Sequence, residues 1–413
     1  MGEQGSSVAV IGAGVIGCAI AWSLAREGFP VLLADPAEPG MGGASFGNAG
    51  HLGAELVEPL PSPALLFGFW RELFAFGGVL DIPWRRLPQF APWARRFAAA
   101  AFRRRENTER FAPLVRPAAT AWERLLREVG SPELLRRNGH HQVWLRTAAA
   151  RHAAGEARRM AALGVPTAPA PPELLGAVAR AAHAETIAGL SFPDTGHVLD
   201  PRGVCAALAR AAAARGASVR RTRVEALAPR GDQIELRTDT GTLTVATAIV
   251  AAGVWSAPLL APFGLRVPLE AVRGYHVELP GQAPLADAPL VYMDDDIVVT
   301  PMASRLRATS YMEFSLPEAA PDPRKPARLA AVLRRLGYRC DGDPAGWVGP
   351  RPVLPDYLPG IGRAPGEARV FYAIGHHHLG LTLAPVTAEL LVALVAGREP
   401  RHDLHAFDLR RFD

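Results

Sequence analysis

The first apolar run, Val8-Ala9-Val10-Ile11, breaks at Gly12-Ala13-Gly14-Val15-Ile16-Gly17 and gives way to an apolar pattern of helical period. A second run, Val31-Leu32-Leu33-Ala34, ends at Asp35. Short, fully apolar runs flanking a helical stretch predict two parallel strands buried on both faces, joined by a helix. In such a unit Gly12 permits the tight turn off the strand, and Gly14 lets backbone amides approach a pyrophosphate. Gly17 lets the helix pack close to the sheet with its positive end toward the phosphates. Asp35 lies 18 residues beyond Gly17, where a carboxylate can accept hydrogen bonds from ribose hydroxyls. The unit predicts a dinucleotide site and leaves NAD, NADP and FAD open.

The pattern changes several times further on. Residues 42–53, GGASFGNAGHLG, are nearly all small, which predicts a loop that hugs a partner closely. Residues 59–136 read as helical, punctuated by Pro59, Pro61, Pro63, Pro83, Pro88 and Pro92. A strand over 142–145, an alanine-arginine helix over 148–163 and a proline-rich connection over 165–172 follow. Asp200 and Pro201 then sit as N-cap and first residue of another helix. Alternating strands are predicted over 218–224, 233–238 and 242–245, and a buried strand over 248–256. Further strands are predicted over 275–279, 297–300 and 306–309. The chain closes on RPVLPDYLPGIG, FYAIGHHHLGLTLAP and an alanine-leucine helix.

Composition narrows the chemistry. A chain of 413 residues with 49% hydrophobic and 21% charged residues can fold as two ordinary globular domains. The formal charge of +5 comes almost wholly from arginine, since Lys325 is the sole lysine. No GxxxxGK pattern exists, and a pyridoxal Schiff base would have to use Lys325 in the polar run PDPRKP. The arginines are dispersed among alanines on helical segments without RNA-binding aromatic motifs, so no nucleic-acid partner is expected. Cys18, Cys205 and Cys340 lie far apart, which predicts neither a zinc ribbon nor a disulfide framework and fits a reducing, cytoplasmic compartment. MGEQGSS leads straight into the first strand, so no signal peptide is expected. No run of about 18 uncharged apolar residues predicts a membrane-spanning helix. Residues 64–104, with Trp70, Trp84 and Trp93 among Arg71, Arg85, Arg86, Arg95 and Arg96, read either as core-packing helices or as interfacial helices on a membrane.

Four separated segments, VAVIGAGVIG, SFGNAG, AIVAAGVWS and GHHHLGLT, resemble the FAD-dependent amine oxidoreductases of the D-amino acid oxidase and dehydrogenase superfamily. The likeness covers nearly the whole chain. It is nearest to D-amino acid dehydrogenases, including those acting on D-hydroxyproline, with glycine and sarcosine oxidases further off. The resemblance implies a two-domain α/β fold. A discontinuous Rossmann-like FAD-binding domain would comprise residues 1–58, 197–265 and 348–413, and an α+β substrate-binding domain residues 59–196 and 266–347. It implies FAD contacts at Gly12, Gly14, Gly17 and Asp35, and at Ser45, Asn48, Ala49 and Gly50 along the pyrophosphate and flavin. Val224 would offer its backbone to the adenine and Gly253 would pack near the pyrophosphate. Gly375, His376, Leu379, Gly380 and Thr382 would sit against the flavin pyrimidine, with the following helix dipole stabilising the anionic reduced ring. No cysteine lies between Cys340 and the C-terminus, so the FAD is expected to be non-covalent.

The implied reaction is hydride transfer from the Cα of a small D-amino acid to flavin N5, with D-proline or cis-4-hydroxy-D-proline as substrate. The imine then hydrolyses, or stays cyclic for a proline. Arg351 corresponds to the arginine that binds the substrate carboxylate in glycine oxidase and its relatives, and its guanidinium fork suits that task. The alternative is an arginine paired with Asp356 or with a carbonyl. His378, His51, Tyr275 and His276 are further catalytic candidates, each alternatively a hydrogen-bonded packing residue. His140 and His141 look structural. His376-His377-His378 is not expected to bind metal, because consecutive residues rarely aim three side chains at one ion; no metal is expected. A glycine- or sarcosine-type oxidase, an FAD subunit of a hetero-oligomeric amine dehydrogenase and a nicotinamide enzyme are the competing readings. The electron acceptor, whether quinone, dye or oxygen, and the oligomeric state stay open, and peripheral membrane association is the remaining expectation.

Overall fold

The computed structural model describes residues 7–82, 84–340 and 346–413. The start of the chain, on which the signal-peptide expectation rests, and Pro83 lie outside the described residues.

The two apolar runs at the start form adjacent parallel strands, Val8–Ile11 and Val31–Asp35, at the centre of a six-stranded sheet. Its order is Ser218–Arg221, Val31–Asp35, Val8–Ile11, Thr247–Val250, Val370–Ile374, Gly360–Arg363, parallel except for the last strand. Helices Val15–Arg26, Pro201–Ala213 and Gly380–Val395 cover one face. The antiparallel strands Val224–Arg230, Gln233–Thr238 and Gly241–Val245 cover the other through Val224, Leu227, Ile234 and Leu236. Close packing depends on Gly17, where a Cβ would stand 1.8 Å from Gly12 O. The strand expected over 218–224 is divided between two sheets, and that expected over 248–256 stops at Val250. Gly253, at φ +57°, turns the chain there into a short 3-10 segment.

One helix departs from the expectation of no membrane-length apolar segment. His377–Val395 is 19 residues long with mean hydropathy 1.7, but 67% of it is buried, packed between the glycine-turn helix and Ala118–Val129. It is a core helix here.

A second, larger sheet runs Gly346–Val353, Glu270–Pro280, Arg305–Phe314, Ile297–Pro301, Leu290–Tyr292, His140–Trp144, Ala188–Phe192, Ala168–Pro169. Leu80–Asp81, unforeseen in the 59–136 region, adds in parallel to Arg305–Phe314. Leu135–Arg136, also expected as helical, is a strand paired with Gly196–Val198, and most of the rest is helical, chiefly Pro63–Glu72, Leu87–Ala101, Arg104–Val115 and Ala118–Val129. Gly346–Val353 straddles the boundary expected at 348 and lies wholly in the large sheet, paired with Glu270–Pro280. This pairing carries the site.

The polar run around Lys325 is not a solvated loop. Lys325 is fully buried in helix Arg324–Arg335, its ammonium 2.6 Å from Asp81, 2.9 Å from Asp322 and 3.7 Å from Glu313. Glu313 also holds Arg273 at 2.7 Å, so this network locks the helix to the far face of the sheet. Removing one partner from a buried ionic network leaves the others uncompensated. Lys325→Met is therefore expected to cost about 3–5 kcal/mol in chemical denaturation; a loss below about 1 kcal/mol would contradict the assignment. Arg324, with Lys325, holds Asp322 below the usual carboxylate range, so its contribution is complete above about pH 4 and lost as pH falls further.

Candidate active site

A cavity of about 1370 Å³ opens at the carboxyl ends of the parallel strands and extends beneath the large sheet. Small-molecule sites are typically about 300–1,000 Å³, so this volume suits a dinucleotide with a second small molecule. Gly12 and Gly14 line it at the turn, and Gly14, with no side chain, makes no cap of its own at the start of helix Val15–Arg26. Ser45 Oγ accepts from Val15 N–H at 3.0 Å, bringing the 42–50 loop over that turn. Asp35 accepts from Ala13 N–H at 2.7 Å and Ala37 N–H at 2.8 Å. Each carboxylate oxygen keeps a further lone pair for a ribose hydroxyl. Burial raises its pKa against those two amide bonds.

Of the residues tied to FAD by resemblance, Asn48, Ala49, Val224, Gly253, Gly375, His376, Leu379 and Gly380 also line the cavity. Three do not. Gly17 acts through helix packing, as its glycine role requires. Gly50, at φ +74°, sits against Val198 O, which a Cβ would approach to 2.6 Å. Thr382 is fully buried, and its hydroxyl accepts from Gly53 N–H at 3.0 Å, holding the loop from behind rather than facing the cavity. Helix Gly380–Val395 also starts without a side-chain cap, and its first turn faces the cavity. The starts of these two helices, the glycine turn and the Asp35 carboxylate fit an FAD pyrophosphate, ribose and flavin.

Arg351 stands at the other end. The strand pairing sets it opposite Val272, and Gly349 opposite Gly274. The Arg351 guanidinium occupies the space above Gly274, where a Cβ would lie 2.0 Å from Nη2. Its Nη1 donates to Tyr311 O at 3.0 Å. No carboxylate lies within 4.0 Å of it among the described residues, and Asp356 is taken by Arg411 at 2.6 Å. The Asp356 pairing considered from sequence is thereby replaced. Burial lowers the pKa of Arg351. Arg351 is half-buried, and most of its five donors are uncommitted and open to an anion in the cavity.

The wall around Arg351 is aromatic. Phe90 stacks on Trp93 at 5.4 Å, Trp93 on Phe97 at 5.3 Å, and Tyr357 packs beside Phe97 and His377. Asp296, Tyr311, Tyr357 and His377 all line the cavity with positive φ, from +40° to +69°. Such backbone costs about 1–3 kcal/mol per residue and gathers where geometry serves a site. At Tyr311 the cause is visible. Arg273 faces Glu313 but Tyr275 faces Ser310, so Tyr311 and Met312 bulge opposite Gly274 alone, and the bulge aims the Tyr311 carbonyl at Arg351.

The histidine and tyrosine candidates divide. His51 and His378 line the cavity; burial lowers His51 to about 4, while His378 is exposed. Tyr275 does not reach it. Strand residues alternate faces, and Tyr275 points with Arg273 into the Lys325 network, donating to Glu313 at 2.5 Å. His276 is on the cavity side of the strand but is covered. Its Nδ1 meets Gly47 O at 2.9 Å and its ring stacks at 5.0 Å on Trp347, which faces the cavity instead. His376 bonds Thr387 at 3.0 Å. Sequence reasoning missed Gly274, Tyr311, Tyr357 and Trp347. The signals were a glycine amid the strand pattern RGYHVEL and a tyrosine between prolines in LPDYLPG. Gly274→Ala is expected to displace the guanidinium and lower kcat/KM about 10²-fold with FAD content unchanged; unaltered kinetics would contradict this packing.

The fold agrees with what the chain is similar to. The family described as FAD dependent oxidoreductase matches residues 7–394. A D-amino-acid oxidase of Bradyrhizobium diazoefficiens is 32% identical over 99% of both chains. A D-amino acid dehydrogenase of Paramagnetospirillum magneticum is 31% identical over 98% of both. The crystal structure of glycine oxidase from Geobacillus kaustophilus superposes with a TM-score of 0.77 over 98% of this chain and 99% of that one, at 23% identity, which shows the shared fold. The chain belongs to the FAD-dependent oxidoreductase family and is an FAD-dependent enzyme of that family.

Proposed function

We propose that this enzyme oxidises the Cα–N bond of a free D-amino acid whose side chain is apolar, with D-proline and cis-4-hydroxy-D-proline among its substrates. The observation that carries the reading is the half-buried Arg351, which lines the cavity with no carboxylate of its own among the described residues. Bound FAD supplies the hydride acceptor. Everything else falls to the chain. Arg351, stiffened by Pro350 and Pro352, grips the substrate carboxylate through two parallel N–H bonds. Phe90, Trp93 and Phe97 exclude water and receive the side chain. The rings of His377 and His378 offer partners for an amine or a ring hydroxyl. The printed names of the two sequence relatives support the D-amino acid class. None of the three cysteines lines the cavity, which supports non-covalent FAD.

The acceptor side of the reaction is read from the surface. Helix Pro63–Glu72 has no buried residue, and Phe67 (78% exposed), Phe76 (72%) and Trp84 (59%) project near Arg71, Arg85 and Arg86. Leu65, Leu66 and Phe69 of the same helix line the cavity. An apolar rim flanked by arginines suits peripheral contact with an anionic membrane. Co-sedimentation with anionic vesicles but not with zwitterionic ones, lost in Phe67→Ser/Trp70→Ser, is expected; equal behaviour on both would refute the contact.

The enzymatic reading is tested with a panel of D- and L-amino acids, using a dye acceptor and, separately, oxygen. Turnover of apolar D-amino acids by the lone chain is expected. Arg351→Ala should lower kcat/KM about 10³-fold while the protein stays yellow. Turnover confined to glycine derivatives, or only in the presence of a second subunit, would replace the proposal with one of its competitors.

A further inference from the structure

Behind the wall that His51 contributes to the cavity, three side chains from distant segments converge. Strand His51–Leu52 pairs with Gly196–Val198, the turn after it carries Glu55, and His140 opens strand His140–Trp144. His51 Nε2 and His140 Nε2 lie 3.7 and 3.5 Å from the same oxygen, Glu55 Oε1. One ligand-type atom from each side chain lies within 4.8 Å of the others. His140 is 0% and Glu55 3% exposed, so water does not solvate this cluster. His51 Nε2, His140 Nε2 and Glu55 Oε2 have no hydrogen-bond partner among the described residues.

The tautomer of His140 follows from its other nitrogen. Nδ1 lies 2.9 Å from Thr195 Oγ1, and Thr195 donates its hydroxyl proton to Phe192 O at 3.0 Å. Thr195 can therefore only accept, Nδ1 carries the proton, and Nε2 turns a lone pair toward Glu55. A lone pair facing a carboxyl oxygen away from water repels it unless something positive lies between them. A shared proton would draw the two atoms to about 2.5–3.0 Å. The separations of 3.5 and 3.7 Å are too long for that. They match two ligands of one metal ion instead: bonds of about 2.0–2.2 Å in a tetrahedral arrangement place ligand atoms roughly 3.3–3.6 Å apart.

We propose that His51 Nε2, the Glu55 carboxylate and His140 Nε2 bind a divalent first-row transition cation, with zinc as the reference ion. Two imidazole nitrogens and one carboxylate disfavour calcium and magnesium, which take oxygen ligands. Thr195 orients His140 from outside the coordination shell, as ligating histidines commonly require. The cation ties the 51–55 turn to the large sheet and sets a fixed positive charge behind one wall of the cavity. The site is separate from Arg351 and does not rest on the amino acid reading.

The test is equilibrium dialysis of the FAD-loaded protein against zinc alone, with metal read by mass spectrometry. About one zinc per chain is expected. His140→Gln and Glu55→Gln should each weaken binding about 10²-fold or more, and Thr195→Val about 10-fold. His152→Gln, at an exposed histidine, should leave it unchanged. FAD content and melting report whether each variant folds. Should a ligand variant fail to fold, zinc-edge anomalous diffraction from wild-type crystals decides by a peak among the three atoms. Wild-type protein that takes up no stoichiometric zinc, or equal uptake by wild type and folded ligand variants, would overturn the proposal. So would a protonated-carboxyl infrared band in zinc-treated wild type that Glu55→Gln removes, since a shared proton would then fill the gap.

Discussion

The arrangement around the site depends on holding one half-buried guanidinium in the cavity wall without giving it a protein carboxylate. Arg351 has one backbone carbonyl as its hydrogen-bond acceptor among the described residues and otherwise faces a cavity walled by aromatic rings. An isolated buried charge is unfavourable, so the surrounding structure must hold it in place. Gly274 gives it room, the bulge at Tyr311 turns a carbonyl toward it, and Pro350 and Pro352 fix the strand that carries it. The reverse face of the same sheet has the opposite character. There Lys325, Arg273 and Arg324 balance Asp81, Asp322 and Glu313. One face of the sheet is electrostatically complete, and the other is completed by a ligand.

This division explains what the sequence could and could not convey. The glycine turn and Asp35 form a local signal: turn, helix and strand lie within thirty-odd residues, and each part has its own backbone requirement. Arg351 was legible through its motif, whereas the space it occupies was not, because Gly274 meets it only through the pairing of two strands. Tyr275 shows the same limit from the other side. A strand residue's face follows from parity, and the bulge shifts which partners it meets, so a tyrosine one position from the cavity points into the Lys325 network. His276 has the right face yet lies under Trp347, and only tertiary packing reveals that cover.

The helical stretch was less legible still. Its prolines and arginines allowed either a core or an interfacial reading, and the structure buries part of it and exposes the rest. Trp93 and Phe111 are buried, while Phe67, Trp70 and Phe76 project outward. The His51, Glu55 and His140 cluster was beyond local reading altogether. Strand partners bring it together across about ninety residues, and its significance lies in unpaired atoms rather than in spacing.

The central claim is that the cavity holds an uncompensated cation made for a carboxylate. It is tested most directly by titrating the FAD-loaded protein with an unreactive aromatic carboxylate and with its primary amide, following the flavin absorbance. The two ligands share shape and apolar surface and differ in charge. The account predicts saturable binding of the carboxylate at least about 10²-fold tighter than the amide, with the difference abolished in Arg351→Ala. Equal affinities in the wild type, or a preference that survives the substitution, would contradict it.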